Sequence, residues 1–240
     1  MSAQQHPRRH NRSFLAAAEQ WLIRWILPRI PAGMTSLHLT VIGLAGSLIA
    51  SFALIACNLS PAWVGLVVVG VAMNWFGDSL DGSLARYRKE ERPRFGFLVD
   101  HTCDLFSQIL VIVAFGLSPF LSLISALTIL LCYLLFSAYT YIRAAAHHIH
   151  QMAYVGVGAT EFRILMIVWA LAGVTFGLHE PLVHGLSTID LVILILAGFA
   201  VIGLGIKATV DAREVALEEG MPSRQDAVIE PVEAPAKIKV

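Results

Sequence analysis

Charge is what this 240-residue sequence has least of: Asp, Glu, Lys and Arg make up 14% of it, against 57% hydrophobic residues and a mean hydropathy of +0.70. A soluble domain carries about a quarter charged residues, so the deficit places the chain in the membrane class. Cysteine is scarce as well. Cys57, Cys103 and Cys132 each sit inside an apolar run without CxxC spacing. That argues against a disulfide framework or thiolate metal site and for small packing residues. Formal net charge is zero, so nothing draws the chain to nucleic acid or another polyanion. No internal repeat is visible. The N-terminus is basic and polar, with no short apolar stretch leading to a cleavage site, and no cleaved signal is expected.

What is present is a set of long apolar runs. A bilayer core is about 30 Å thick and needs roughly 20 apolar residues per helical crossing. Six runs meet that need: 37–57, 62–77, 97–117, 120–142, 162–178 and 189–206. The second is short, and its helix is expected to continue through a polar stretch to Arg88. Turns at Asn58–Pro61 and Ser118-Pro119 place proline where it can open the next helix.

The positive charges sort by loop. Arg8, Arg9, Arg12, Arg24 and Arg29 precede the first span; Arg86, Arg88, Lys89, Arg92 and Arg94 lie between the second and third. Arg143 and Arg163 flank the fourth loop, and Lys207, Arg213, Arg224, Lys237 and Lys239 end the last span or follow it. None falls in the loops at 58–61, 118–119 or 179–188. With an even number of spans, the positive-inside rule puts both termini in the cytoplasm. The expected fold is an all-α integral membrane protein, in a bacterial inner membrane, with six transmembrane helices. Its segments are an N-terminal cytosolic segment (1–34), a six-span domain (35–210) and a disordered cytosolic tail (211–240), rich in Pro, Glu, Ala and Lys. Within 12–28, Phe14, Leu15, Ala18, Trp21, Leu22 and Trp25 recur at helical spacing, opposite Arg12, Glu19, Gln20 and Arg24. This predicts an amphipathic helix in the membrane interface, or one packed on a partner. Pro28 and Pro31 end it.

Carboxylates inside spans are rare and usually functional or paired. Asp78 and Asp81 lie near the end of the second span, and Asp100 and Asp104 near the start of the third. Spacings of three and four put each pair on one helix face. The joining loop is short and basic. At about 1.5 Å per residue, Asp81 and Asp100 lie roughly 8–9 Å inside the polar boundary. Four carboxylates at one depth repel each other and need a cation. Oxygen ligands, with no nearby cysteine or histidine cluster to offer a softer set, favour Mg²⁺ or Mn²⁺. Gly82 and Ala85 would let a ligand approach the backbone, and Arg86 is able to grip a phosphate. Packing between helices is the competing role for Gly82, Ala85 and Gly96. Mutual pairing with the loop arginines is the competing role for the aspartates.

Residues 78–104 read DSLDGSLARYRKEERPRFGFLVDHTCD. This resembles the signature of the CDP-alcohol phosphotransferase (CDP-alcohol phosphatidyltransferase) family, DxxDGxxAR followed by GxxxDxxxD, with a loop one residue longer than the family pattern. The spans and N-terminal helix extend the resemblance through most of the chain. It implies cleavage of a CDP-linked donor, release of CMP and transfer of the phosphoryl-bearing portion to an alcohol. It implies that Asp78, Asp81 and Asp100 hold divalent metal and the CDP pyrophosphate, with Asp104 completing a two-metal site and acting as general base. Gly82, Ala85 and Gly96 would make room for the nucleotide, Arg86 would brace the site, and a homodimer is expected. Residues Thr35–Thr40 keep the threonines of a TPNxxT-like stretch but have Ser36-Leu37 in place of Pro-Asn.

Acceptor choice is less marked. His101, after Asp100, resembles the DH of choline/ethanolamine phosphotransferases; a hydrogen bond within the bundle is its other role. Glu161 and Arg163 are candidates for an acceptor pocket, or for pairing with each other or with an aspartate. His147, His148 and His150 read as loop-surface histidines ahead of a metal tract. The favoured function is transfer from CDP-diacylglycerol to a small polar alcohol. CDP-choline or CDP-ethanolamine transfer to diacylglycerol is the alternative within the class. Outside it stand a cation or proton transporter, whose site would sit nearer the midplane on broken helices, and a silent scaffold.

Overall fold

The computed structural model describes residues 15–147, 159–177, 181–183 and 186–219. Seven helices follow one another: α1 (Ala16–Ile26), α2 (Ser36–Ala56), α3 (Val64–Arg88), α4 (Pro93–Gly116), α5 (Leu123–His147), α6 (Ala159–Phe176) and α7 (Thr188–Glu219). Short 3-10 turns at Leu27–Arg29 and Pro61–Trp63 precede α2 and α3. Helices α2 to α7 supply six segments long and apolar enough to cross a membrane. As expected, α3 carries its span through the polar stretch to Arg88. A small antiparallel ladder pairs β1 (Pro181–Val183) with β2 (Leu186–Ser187), with Pro181 opposite Ser187; the apolar patterning gave no sign of it. The chain divides into two compact units, Met1–Val201 and Ile202–Val240.

The boundary drawn at 210 is corrected. Residues 211–219 continue α7 rather than opening the tail. Lys207 and Asp211 pair across one turn, a spacing that supports a helix, and Ala212, Val215, Ala216 and Leu217 have no Gly or Pro among them to stop it. The tail beyond 220, the arginines before 15 and His148 and His150 lie outside the described residues.

Helix α3 is the centre of the first unit, with α2, α6 and α1 packed on it. The α2–α3 approach is set by small residues. A methyl on Gly70 would lie 2.5 Å from the Ala50 nitrogen, and one on Gly46 would lie 2.6 Å from the Gly70 carbonyl oxygen. Backbones this close exclude any side chain at those positions. Helices α3 and α4 are joined by a short loop, closed by Lys89 in the left-handed conformation (φ 59°), yet they barely approach each other: α4 packs on α2 and α5. The two helices on either side of that loop are therefore splayed and bridged by α2, with a slot between.

Two apolar clusters flank that slot. Ala50, Leu54, Val67, Val71, Val111, Phe115, Ala126 and Ala170 belong to one; Leu27, Ile30, Leu39, Leu80 and Leu84 belong to the other. Helix α1 joins the second cluster through Ile23 and Ile26, and leaves Trp21 and Trp25 exposed. One face of α1 thus packs on the chain's own bundle, and another carries the exposed tryptophans. Glu19, placed on the polar face from sequence, instead turns inward and accepts from Ser79 Oγ (3.1 Å) and Thr160 Oγ1 (2.7 Å).

Candidate active site

Three helices build the site. A cleft is lined by Thr40, Gly43 and Leu44 of α2, by Asn74, Asp78 and Asp81 of α3, and by Asp100, Cys103, Asp104 and Ser107 of α4. Each helix contributes positions three or four apart, so one face of each turns inward. Carboxylate oxygens of Asp78, Asp100 and Asp104 all lie within 4.8 Å of one another. Asp81 lines the same cleft one turn on and is buried, 6% exposed. It accepts from Thr40 Oγ1 at 2.8 Å and from the backbone N–H of Gly82. The four predicted aspartates are thus brought together, three as a tight group and the fourth beside it. Three hard oxygen donors with no sulfur or imidazole in the group are a set suited to Mg²⁺ or Mn²⁺.

Gly82 and Gly96 do not pack against a neighbouring helix. A methyl at Gly96 would meet nothing within 4 Å, and one at Gly82 would meet only the end of Arg86, at 3.4 Å. Ala85 is half-buried and Arg86 exposed, with Nη2 donating to Ser83 Oγ at 3.1 Å. Helix-to-helix packing falls to Gly43, Gly46, Gly70 and Gly77 instead.

The residues considered for the acceptor divide. His101 stands beside the cluster: its Nδ1 is 3.5 Å from Asp100 Oδ2, and its ring is 4.1 Å from that of Phe97. Glu161 turns away to accept the backbone N–H of Leu15 at 2.8 Å, pinning the start of α1. Arg163 is buried and pairs with an aspartate, its Nη2 donating to Asp78 Oδ2 at 2.5 Å and its Nε to Asn74 Oδ1 at 2.7 Å. Asn74 was missed from sequence, although it precedes Asp78 by four residues and so shares its face. Thr35 and Thr40 have local roles: Thr35 caps α2 in a reciprocal bond with His38, and Thr40 holds Asp81. Arg88 secures the entry to α2, donating to the carbonyls of Ile30, Pro31, Ala32 and Met34.

A search of curated proteins finds no match to the chain. A model of the CDP-alcohol phosphatidyltransferase family matches residues 33–207, from the entry to α2 into α7, and so contains every residue of the cleft. Family members are generally dependent on a divalent metal. The chain belongs to the CDP-alcohol phosphatidyltransferase family, and is an integral membrane transferase.

Proposed function

We propose that this transferase makes a phospholipid: it cleaves CDP-diacylglycerol, releases CMP and passes the phosphatidyl group to a small polar alcohol. The observation that carries the reading is the convergence of Asp78, Asp100 and Asp104 within 4.8 Å, beside a slot between α3 and α4. Asp78, Asp81, Asp100 and Asp104 would hold one or two Mg²⁺ or Mn²⁺ ions. When bound, such an ion neutralises pyrophosphate oxygens and polarises the transferring phosphoryl group.

The chain's own residues do the rest. Gly82, Ala85 and Gly96 leave room for the nucleotide, and Arg86 offers a guanidinium to its phosphates. Asp104 takes the proton of the acceptor hydroxyl on a carboxylate oxygen. The acceptor oxygen then bonds to the phosphorus that bears the lipid, and the bond from that phosphorus to CMP breaks. The cleft lies toward one end of the spans, so acyl chains can stay in the bilayer while a polar acceptor arrives from the cytoplasm, the side assigned by the loop charges.

The test is CMP release from CDP-diacylglycerol with Mg²⁺ and a panel of glycerol 3-phosphate, inositol, inositol 1-phosphate and serine. One acceptor should stimulate release, and Asp104→Asn should lower it by about a hundredfold or more. His101, standing beside Asp100, favours a second arm: CDP-choline or CDP-ethanolamine with diacylglycerol. Activity only there replaces the proposed donor, and activity in neither arm rejects both.

A further inference from the structure

Arg163 is the one buried cation that reaches the carboxylate group among the described hydrogen bonds and ion pairs. It lies near the start of α6, 7% exposed, inside a segment apolar enough to cross a membrane. Its Nη2 donates to Asp78 Oδ2 at 2.5 Å and its Nε to Asn74 Oδ1 at 2.7 Å. Asn74 is itself fixed from the other side, its Nδ2 donating to the Gly43 carbonyl at 3.1 Å and to Ser47 Oγ at 2.8 Å. The amide therefore presents its oxygen to Arg163 because α2 has taken its nitrogen. The guanidinium is planar, so binding Asn74 through Nε sets the direction in which Nη2 points. It points at Asp78. That carboxylate stands within 4.8 Å of two others, and like charges so close drive each other apart unless held.

We propose that Arg163, oriented by Asn74, is a positioning residue that holds the Asp78 carboxylate in place and offsets its charge, and is not a contact for the alcohol acceptor. This rests on the reading of the aspartate group as the metal and pyrophosphate site. It makes α6 part of the catalytic geometry without contributing a group that touches substrate. It also gives Asn74 a task that packing alone does not require.

The test uses the full-length protein in detergent, with Arg163→Gln, Arg163→Lys, Asn74→Ala, Asp78→Asn and the Asp78→Asn/Arg163→Gln double variant. Mn²⁺ binding without substrate is read from the loss of the free-ion paramagnetic resonance signal. Arg163→Gln should bind Mn²⁺ about threefold tighter or more, because a cation has left the group. In the metal-free protein, the change in thermal midpoint caused by Arg163→Gln should shrink to about half or less in the Asp78→Asn background, the mark of a direct pair. In turnover, kcat should fall about tenfold or more in Arg163→Gln and about threefold in Asn74→Ala, with the acceptor KM within about twofold of wild type. Arg163→Lys should return Mn²⁺ affinity to about the wild-type value while recovering only part of kcat, since it keeps the charge and loses the fork.

An acceptor KM raised about tenfold with kcat retained would make Arg163 an acceptor contact and overturn the proposal. Unchanged or weaker Mn²⁺ binding in Arg163→Gln, or midpoint changes that simply add, would overturn it as well. A wild-type protein that releases no CMP would sink the transferase reading, while the Mn²⁺ and midpoint measurements would still decide the Arg163–Asp78 link.

Discussion

Thr40 carries no charge, yet the cleft depends on it. Its hydroxyl donates to Asp81 Oδ2 at 2.8 Å, and Asp81 is 6% exposed. Thr40→Val keeps the shape and removes the donor, leaving a buried carboxylate oxygen short of a partner at a cost of about 1–3 kcal/mol. CMP release should fall about tenfold, with Thr40→Ser close to wild type; equal rates in all three proteins would remove Thr40 from the site. The aspartates themselves were legible in the sequence because each interrupts an apolar run and their spacings select one face. Asn74 obeys the same rule, four residues before Asp78, but an uncharged amide in an apolar run is a weaker signal than a carboxylate. The partner of Arg163 was not legible. Glu161 is two residues away in sequence, Asp78 is 85 residues away, and only the packing of α6 on α3 chooses between them.

At the scale of elements, the far end of the spans offers a control for the site. Asp190, 1% exposed, is the third residue of α7 and forms a reciprocal cap with Ser187: its Oδ2 accepts the Ser187 N–H at 2.8 Å, and Ser187 Oγ accepts the Asp190 N–H at 3.2 Å. Its other oxygen accepts from Ser122 and from Ser125, the latter at 2.6 Å. Ser122 in turn accepts the N–H of Ser125. One carboxylate thus ties together the starts of α5 and α7. Asp190→Ala should cost about 2–3 kcal/mol and lower the thermal midpoint by about 5–10 °C. CMP release below that midpoint should stay within about twofold of wild type. An unchanged midpoint would show the clasp to be slack, and lost activity at full stability would give it a part in catalysis. Helix positions were legible from hydropathy, because a bilayer imposes a length on any helix that crosses it. Helix partners were not. The slot between α3 and α4 arises because α2, with Gly43, Gly46 and Ala50 on its α3 side, packs on both. No local pattern in 78–104 contains that fact. Glu19 is similar: its partners Ser79 and Thr160 lie 60 and 141 residues away, so the periodicity of α1 alone does not show them.

For the molecule as a whole, two distributions carry the account. Basic residues fall at or near alternate loops and are missing from those at 58–61, 118–119 and 179–188, and Asp78, Asp81, Asp100 and Asp104 gather toward the joined ends of the second and third spans. Both could be read without coordinates because a bilayer sorts charge by side and depth. Folding adds the depth-matched polar layer itself, in which Thr40, Asn74, Asp78, Asp81, Asp100, Asp104 and Arg163 meet at the borders of the two apolar clusters. The proposed function requires a divalent cation in that layer together with the donor. The most direct measurement is CMP release from CDP-diacylglycerol by the purified protein as Mg²⁺ is titrated after chelation, with the stimulating acceptor present and with Asp78→Asn and Asp100→Asn in parallel. The account predicts no release without metal, saturable release with it, and a loss of about a hundredfold or more in each variant. Release that persists at full rate in the chelated protein, or in either variant, would contradict it.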